Sequence, residues 1–289
     1  MDALMSAVGR WWFDPLPLAR IAWLRTFFYG FVFVDVLLTT SWVARHGAVS
    51  TELYDPLFVG RLLLLPQPTR TVVVLTALVL LLAAGVASTG RLPRLAGSVV
   101  AVAYWLWMVI AFSYGKVDHD RFAFLVALCV LPTVGRAHWR DSDASQAAGW
   151  AIRSIQVAVV LAYFLAAFAK FRFGGLNWAT GATLARALVR KGNWVSQQLF
   201  DMPGVLRATQ FGIIAFELAS PLLLVRGRVG YIFLALAVLF HVVTFLTISI
   251  IFLPHVMCLL AFLPLERLGR APALWASDER PSRDRLPVR

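Results

Sequence analysis

Lys170 is the residue of this chain best suited to chemistry. It closes the apolar run Tyr163-Phe164-Leu165-Ala166-Ala167-Phe168-Ala169-Lys170, and Gln156, Tyr163 and Lys170 recur at intervals of seven. Seven residues is nearly two helical turns, so the three fall on one face. The alanines around them let a neighbouring helix approach closely. The face reads as a polar stripe aimed at another helix. An ammonium withdrawn from water there gives up its proton more readily and can serve as a base near neutral pH. The alternative is a lysine at the end of a span, its head snorkelling to the membrane surface.

His119 stands between two carboxylates in Asp118-His119-Asp120. Those neighbours are expected to favour its charged form; the alternative is a solvated loop histidine. Glu217 has Gln210 one heptad before it and Ser220 about one turn after it. His241 has Thr244 about one turn on. Charged groups are costly in apolar segments and usually face a bundle interior or a functional cavity. The bland reading is that Glu217 and His241 satisfy each other as a buried structural pair. Arg20, Arg25 and Asp35 lie in the first apolar run, and Arg25 and Asp35 read as packing and topology residues. No HExxH, P-loop, GxGxxG or GxSxG motif is present, and the five histidines lack metal-ligand spacing. No metal is expected. Tryptophans such as Trp42, Trp139 and Trp178 read as interfacial belt residues.

The elements that must position these groups are membrane helices. Of 289 residues, 60% are hydrophobic and only 15% are charged, more apolar surface than a soluble domain of this length can hide. The expected fold is all-α: a polytopic transmembrane bundle of about eight spans plus an interfacial amphipathic helix. The spans are Leu18 to Trp42, Thr71 to Ala87, Leu95 to Tyr114, Phe122 to Val134, Ile152 to Phe171, Leu206 to Val225, Val229 to Ile251 and Phe252 to Leu263. The fourth and eighth are short, and Pro254 either breaks the last long run or kinks it. Leu176 to Phe200 interleaves apolar residues with Arg186, Arg190 and Lys191 and reads as an amphipathic helix on the outer surface. Residues 1–17 form a short N-terminal segment, 18–266 the membrane domain, and 267–289 a basic, disordered tail.

The net charge of +12 comes from 24 Arg and 3 Lys against 15 acids. The arginines cluster in short connections such as Arg91-Leu92-Pro93-Arg94 and Arg226-Gly227-Arg228, the pattern of positive-inside loops. No basic stripe on a soluble domain points to nucleic acid. With eight spans both termini are cytoplasmic, the protein sits in the bacterial inner membrane, and the first span acts as an uncleaved signal. His119 and Lys170 then share the outer side. Cys129 and Cys258 lie in apolar runs as small hydrophobes.

Taken in order, the motifs resemble those of the HTTM domain, the membrane part of vitamin K-dependent γ-carboxylase. The resemblance rests on Arg25-Thr26-Phe27-Phe28-Tyr29-Gly30 with Asp35 ten residues on, and on Asp118-His119-Asp120, similar to the family's Asn-His-Ser turn. It continues through Tyr163 to Lys170 with Trp178 and Gly181, then Glu217, and then His241 followed by Phe252 and Met257. It covers about residues 18 to 265. The resemblance implies that Lys170 is the base acting on reduced vitamin K and that His119 holds or polarises the quinol. Asp118, Tyr163, Trp178, Glu217 and His241 would line the cofactor site. In the family the deprotonated hydroquinone reacts with oxygen, and the strong base so formed takes a proton from a glutamate side chain, to which carbon dioxide adds.

Two departures shape the expectation. Asp118 and Asp120 replace Asn and Ser, and the large soluble domain that engages the carboxylase's protein substrate has no counterpart in these residues. The implied cofactor is a reduced quinone of the vitamin K or menaquinol type, and the implied partners are the bilayer and a secreted protein or peptide. One branch of the family serves the maturation of a secreted bacterial toxin peptide, so a non-catalytic partner in export or maturation is a second reading. A proton-coupled transporter using Glu217, His241 and Lys170 is a third.

Overall fold

The computed structural model describes residues 2–114 and 116–269. The tail expected beyond them lies outside the described residues, and its first positions fall in a 3₁₀ turn, Leu265–Gly269. Helix α1 (Asp2–Phe13) leads through strand β1 (Leu16–Pro17) into α2 (Leu18–Val34), which runs on into a π-helical turn, Asp35–Thr39. A 3₁₀ segment, Ser41–Ala48, and the short α3 (Phe58–Leu62) precede the antiparallel pair α4 (Arg70–Ser88) and α5 (Pro93–Phe112). Helix α6 (Phe122–Val130) follows, then strand β2 (Ala144–Ser145), which pairs with β1, and α7 (Gln146–Gly174). The remainder is α8 (Ala182–Lys191), α9 (Trp194–Gln197), α10 (Pro203–Leu218), α11 (Arg228–Ile248) and α12 (Leu253–Cys258).

Five helices are long and apolar enough to cross a membrane: Leu18–Thr39, α4, α5, Gln146–Thr180 and α11. The other three expected spans are shorter. Helix α6 has 9 residues and rises about 14 Å, well short of a hydrocarbon core of about 30 Å. Its apolarity serves a different purpose, because Ala123, Phe124, Ala127 and Leu128 are all buried inside the protein. Hydropathy cannot separate a buried helix from a lipid-facing one. Helix α10 gives way to a 3₁₀ turn, Ser220–Leu224, that contains Pro221. The last long run does break: Ser249 adopts a left-handed conformation (φ 52°), and Pro254 sits in the first turn of α12, where its missing N–H is harmless.

Packing is tightest where α2, α5 and α6 meet. Rings of Phe28, Phe31 and Tyr104 surround that of Phe124 with centroids 5.2 to 5.6 Å away. Gly97 on α5 makes the approach possible, since a Cβ there would lie 2.6 Å from Tyr29 Oη and 2.9 Å from Pro132 Cγ. The outward faces of α4 and α11 carry exposed Leu75, Leu78, Leu82, Ile232, Leu239 and Leu246. Exposed leucines in such numbers belong against hydrocarbon.

Two of the first-span charges, Arg25 and Asp35, are tied into the bundle interior. Arg25 is almost fully buried on α2 and donates to the carbonyls of Leu131 (2.7 Å), Val134 and Gly135 (2.9 Å). Those carbonyls lie at the 3₁₀ extension of α6 and just beyond it, and the Leu131 carbonyl also accepts from Val134 N (3.3 Å). Asp35, fully buried in the π turn, accepts from Arg121 Nη1 (2.6 and 2.8 Å), Tyr104 Oη (2.8 Å) and Thr39 Oγ1. Trp107 Nε1 donates to Thr40 Oγ1 (3.0 Å) beside it. This network joins α2, α5 and the turn before α6.

Asp35→Ala should lower stability by roughly 3 to 5 kcal/mol, because Arg121 would stay buried without its counter-charge. Thermal unfolding in detergent would show it. Asp35→Ala with Arg121→Leu should cost less than the single change; a double variant that is worse by the sum of the two would deny the coupling.

Candidate functional site

Lys170 does not snorkel. Side chains on a helix lean toward its N-terminus, and here Nζ turns back along α7 to the Ala166 carbonyl (3.4 Å) and to both carboxylate oxygens of Glu217 on α10, at 2.6 and 2.8 Å. The ammonium also lies 5.2 Å from the centroid of the Trp178 ring. Glu217 is buried, and Lys170 is partly buried with 20% of its side chain exposed.

The seven-residue stripe of α7 meets a different element at each step. Gln156 Nε2 donates to the Ala261 carbonyl (2.9 Å), Tyr163 Oη lies 2.7 Å from His241 Nε2 on α11, and Lys170 reaches Glu217 on α10. The reading of Glu217 and His241 as partners of each other is therefore corrected: α7 supplies a separate partner to each. Ser220 donates to the Val160 carbonyl (3.2 Å), which sets α10 antiparallel along α7.

These side chains open onto one cavity of about 670 Å³, a size typical of small-molecule sites. Lys170, His119, Tyr163, Trp178, Glu217 and His241 all line it, together with Asp120, His255 and apolar residues of α8, α10 and α11. Asp118 does not line it; its carboxylate turns to Lys116 Nζ (2.6 Å). Asp120, two residues on, takes the inward position.

The segment 176–200 is not one helix on the outer surface. A 3₁₀ turn (Gly175–Thr180), α8 and α9 fold across the cavity, with Leu184, Ala187 and Leu188 facing in and Arg186, Arg190 and Lys191 exposed. Gln210, fully buried, fastens this roof: its side chain donates to the Trp178 carbonyl and accepts from Leu184 N (3.4 Å). Asn193 Nδ2 anchors the other end on the Leu246 carbonyl (2.6 Å).

His255 is the site residue that sequence reasoning missed. It packs edge-on to Tyr163 (4.5 Å between centroids) and 5.5 Å from the His241 ring, and only 3% of it is exposed. Neither His255 Nε2 nor His241 Nδ1 has a hydrogen-bond partner among the described residues. If Tyr163 donates to His241 Nε2, then Nδ1 carries the hydrogen and is an unused donor. His255 Nε2 and His241 Nδ1 are buried with almost no accessible surface, so they are unsatisfied groups behind the cavity lining. The only sequence signal was a histidine following a proline in the apolar run Phe252 to Leu263. Among the described residues, no group of three or more His, Cys, Asp or Glu converges as a metal site.

At the cavity mouth the electrostatics reverse one expectation. His119 is held below its ordinary value, first by desolvation and then by the Lys170 ammonium, with Asp118 pulling weakly the other way. Its imidazole is thus biased to the neutral form. Asp120 is pushed up to about 6 by burial, reinforced by Asp118 and Asp35 and opposed by Arg121. No family model, curated protein or solved structure matches the chain.

Because folding raises the Asp120 value from 3.8 to about 6, the folded state binds that proton more tightly than the unfolded chain. The resulting stability is fully present below about pH 4 and is lost as pH rises through about 6. Wild type should therefore lose stability relative to Asp120→Asn between pH 4 and pH 7, read as melting temperature against pH. Parallel curves for the two proteins would show that the carboxyl is not held in this way.

Proposed function

We propose that this chain is an integral membrane protein of the HTTM type that binds a reduced quinone in the roofed cavity. The proton acceptor in this reading is the Lys170–Glu217 pair. The observation that carries it is the convergence of Lys170, Glu217, His119, Tyr163 and His241 on one mostly apolar chamber. The ordered motifs that resemble the γ-carboxylase membrane domain add support.

The proposal carries a topology with it. Asp14 and Glu266 lie at one end of the bundle, where Arg20, Arg153 and Arg226 bond to them. The connection Arg91–Arg94 is at that end too, with Arg94 beside Gly135. By the positive-inside rule this end is cytoplasmic. In this reading the chain returns to it after eight passes: the five long helices and three shorter passes through α6, α10 and α12 with the turns that extend them. The cavity then opens near the outer face.

In this reading the polar groups of the lining receive a ring that bears hydroxyls. Tyr163, His241 and His255 bring polar groups to the lining, as do Lys170 and His119. Apolar side chains of α8 and α11 suit an isoprenoid tail. A bound quinol would supply an acidic hydroxyl and the electrons for reducing oxygen. A lysine held as an ion pair is already protonated, so it cannot act as a base alone. Shifting the shared proton across 2.6 Å to Glu217 converts the ion pair to a neutral amine and carboxylic acid, with no net charge created in the low-dielectric interior. The free amine then accepts a proton from the ligand. Neutral His119 at the mouth can hydrogen-bond an oxygen, and the α8 roof keeps water from the amine.

The test is binding of reduced vitamin K and menaquinol to purified protein in nanodiscs, with oxygen uptake followed alongside. Wild type should bind saturably. Lys170→Ala and Glu217→Gln should each lower oxygen uptake by about 100-fold or more, and His119→Ala should weaken binding. Folded wild type that binds no quinol, or uptake indifferent to Lys170→Ala, would overturn the reading.

A further inference from the structure

A second cavity, of about 390 Å³, lies at the arginine-rich end of the bundle, away from the roofed chamber. Its walls bring together three guanidinium groups from separate elements: Arg20 on α2, Arg153 on α7 and Arg226 in the turn before α11. Among the described residues, two carboxylates bond to them. Glu266 is taken up by Arg20 in a two-bond pair at 2.7 and 2.8 Å. Asp14 is shared, its Oδ2 accepting from Arg226 Nη2 at 2.7 Å and from Arg153 Nη2 at 3.1 Å. One positive charge is left over, beside an arginine whose side chain is only 4% exposed.

Burying a guanidinium on half a carboxylate is unfavourable unless something else supplies negative charge. Arg153 is held in place all the same, by the Asp14 carbonyl (2.8 Å) and by the Trp11 ring 5.2 Å away. Arg226 is mostly exposed and projects into the opening. Planar guanidinium forks of this kind match phosphate oxygens. The rim is amphipathic: Leu16, Leu223, Phe262 and Tyr231 form the apolar side. From Tyr231 an exposed strip continues along α11 through Ala235, Val238 and Val242, residues three and four apart on one helical face.

We propose that this cavity binds a phosphate group, with Arg153 and Arg226 as its principal ligands and Asp14 as the internal anion that occupies their donors when no phosphate is present. The apolar strip fits the acyl chains of an anionic phospholipid whose headgroup enters the cavity, in keeping with basic pockets on the cytoplasmic side of membrane proteins. A free phosphate ion shares the same headgroup chemistry, and the experiment separates the two sources.

The delipidated protein would be titrated with phosphatidylglycerol, with diacylglycerol and with inorganic phosphate, and bound ligand read by native mass spectrometry. Phosphatidylglycerol should bind and diacylglycerol should not. Arg226→Gln, an exposed change that leaves the bundle intact, should weaken phosphatidylglycerol about fivefold. Asp14→Asn should tighten it by a similar factor, because a competing anion is removed while the Asp14 carbonyl still holds Arg153. Saturable binding of inorganic phosphate that displaces the lipid, with the same response to both variants, would support the site and assign it to a soluble anion. Equal retention of phosphatidylglycerol and diacylglycerol, or binding of neither phosphate species that responds to the two variants, would overturn the proposal.

Discussion

Every charge carried into this apolar bundle must find a polar or charged partner inside it. The interior offers no water, and an isolated ion there costs several kcal/mol even after relaxation. The chain answers with internal partners: Arg25 on backbone carbonyls, Asp35 with Arg121, and Lys170 with Glu217. None of these is strong evidence for stability, since apolar residues of similar volume can do as well. Their effect is on register. Each pair has one low-energy arrangement, and shifting a helix by a turn would separate its partners by about 5 Å.

The pairs also connect the two halves of the bundle. Arg121 follows Asp120 directly and His119 by two positions, so its bonds to Asp35 and Tyr104 fix the turn that carries both cavity-lining residues. On the opposite wall, α7 presents Tyr163 and Lys170 to α11 and α10. The cavity is the space left between a wall pinned by Asp35 and a wall pinned by Glu217. Gln210 then closes it by fixing the 3₁₀ turn and α8 across the top. A polar staple is well suited to a roof, because a few bonds hold it while its apolar contacts remain free to reshape around an occupant.

Much of this was legible in the residues. An abundance of apolar runs fixed a helical bundle, because helices are the simplest way to satisfy a backbone without water. The spacing of Gln156, Tyr163 and Lys170 identified the working face of α7, since the helical period is a local property. Burial cost made Glu217, His241, Arg25 and Asp35 conspicuous. Less legible was the number of long spans. Helices α6 and α12 are apolar in large part because one face of each packs into the protein, and hydropathy reports the need to avoid water without saying what replaces it.

Composition and period, then, determined the helical class, the polar stripe and the short list of costly ionisable groups. Only the tertiary structure decided which of those groups face one another. It gave Glu217 to Lys170 and His241 to Tyr163, turned Asp118 out and Asp120 in, drew in His255, and folded 176–200 into a roof. The physical reason is that cost is a property of one residue in its solvent, readable along the chain. Partnership depends on distances between helices that are far apart in sequence.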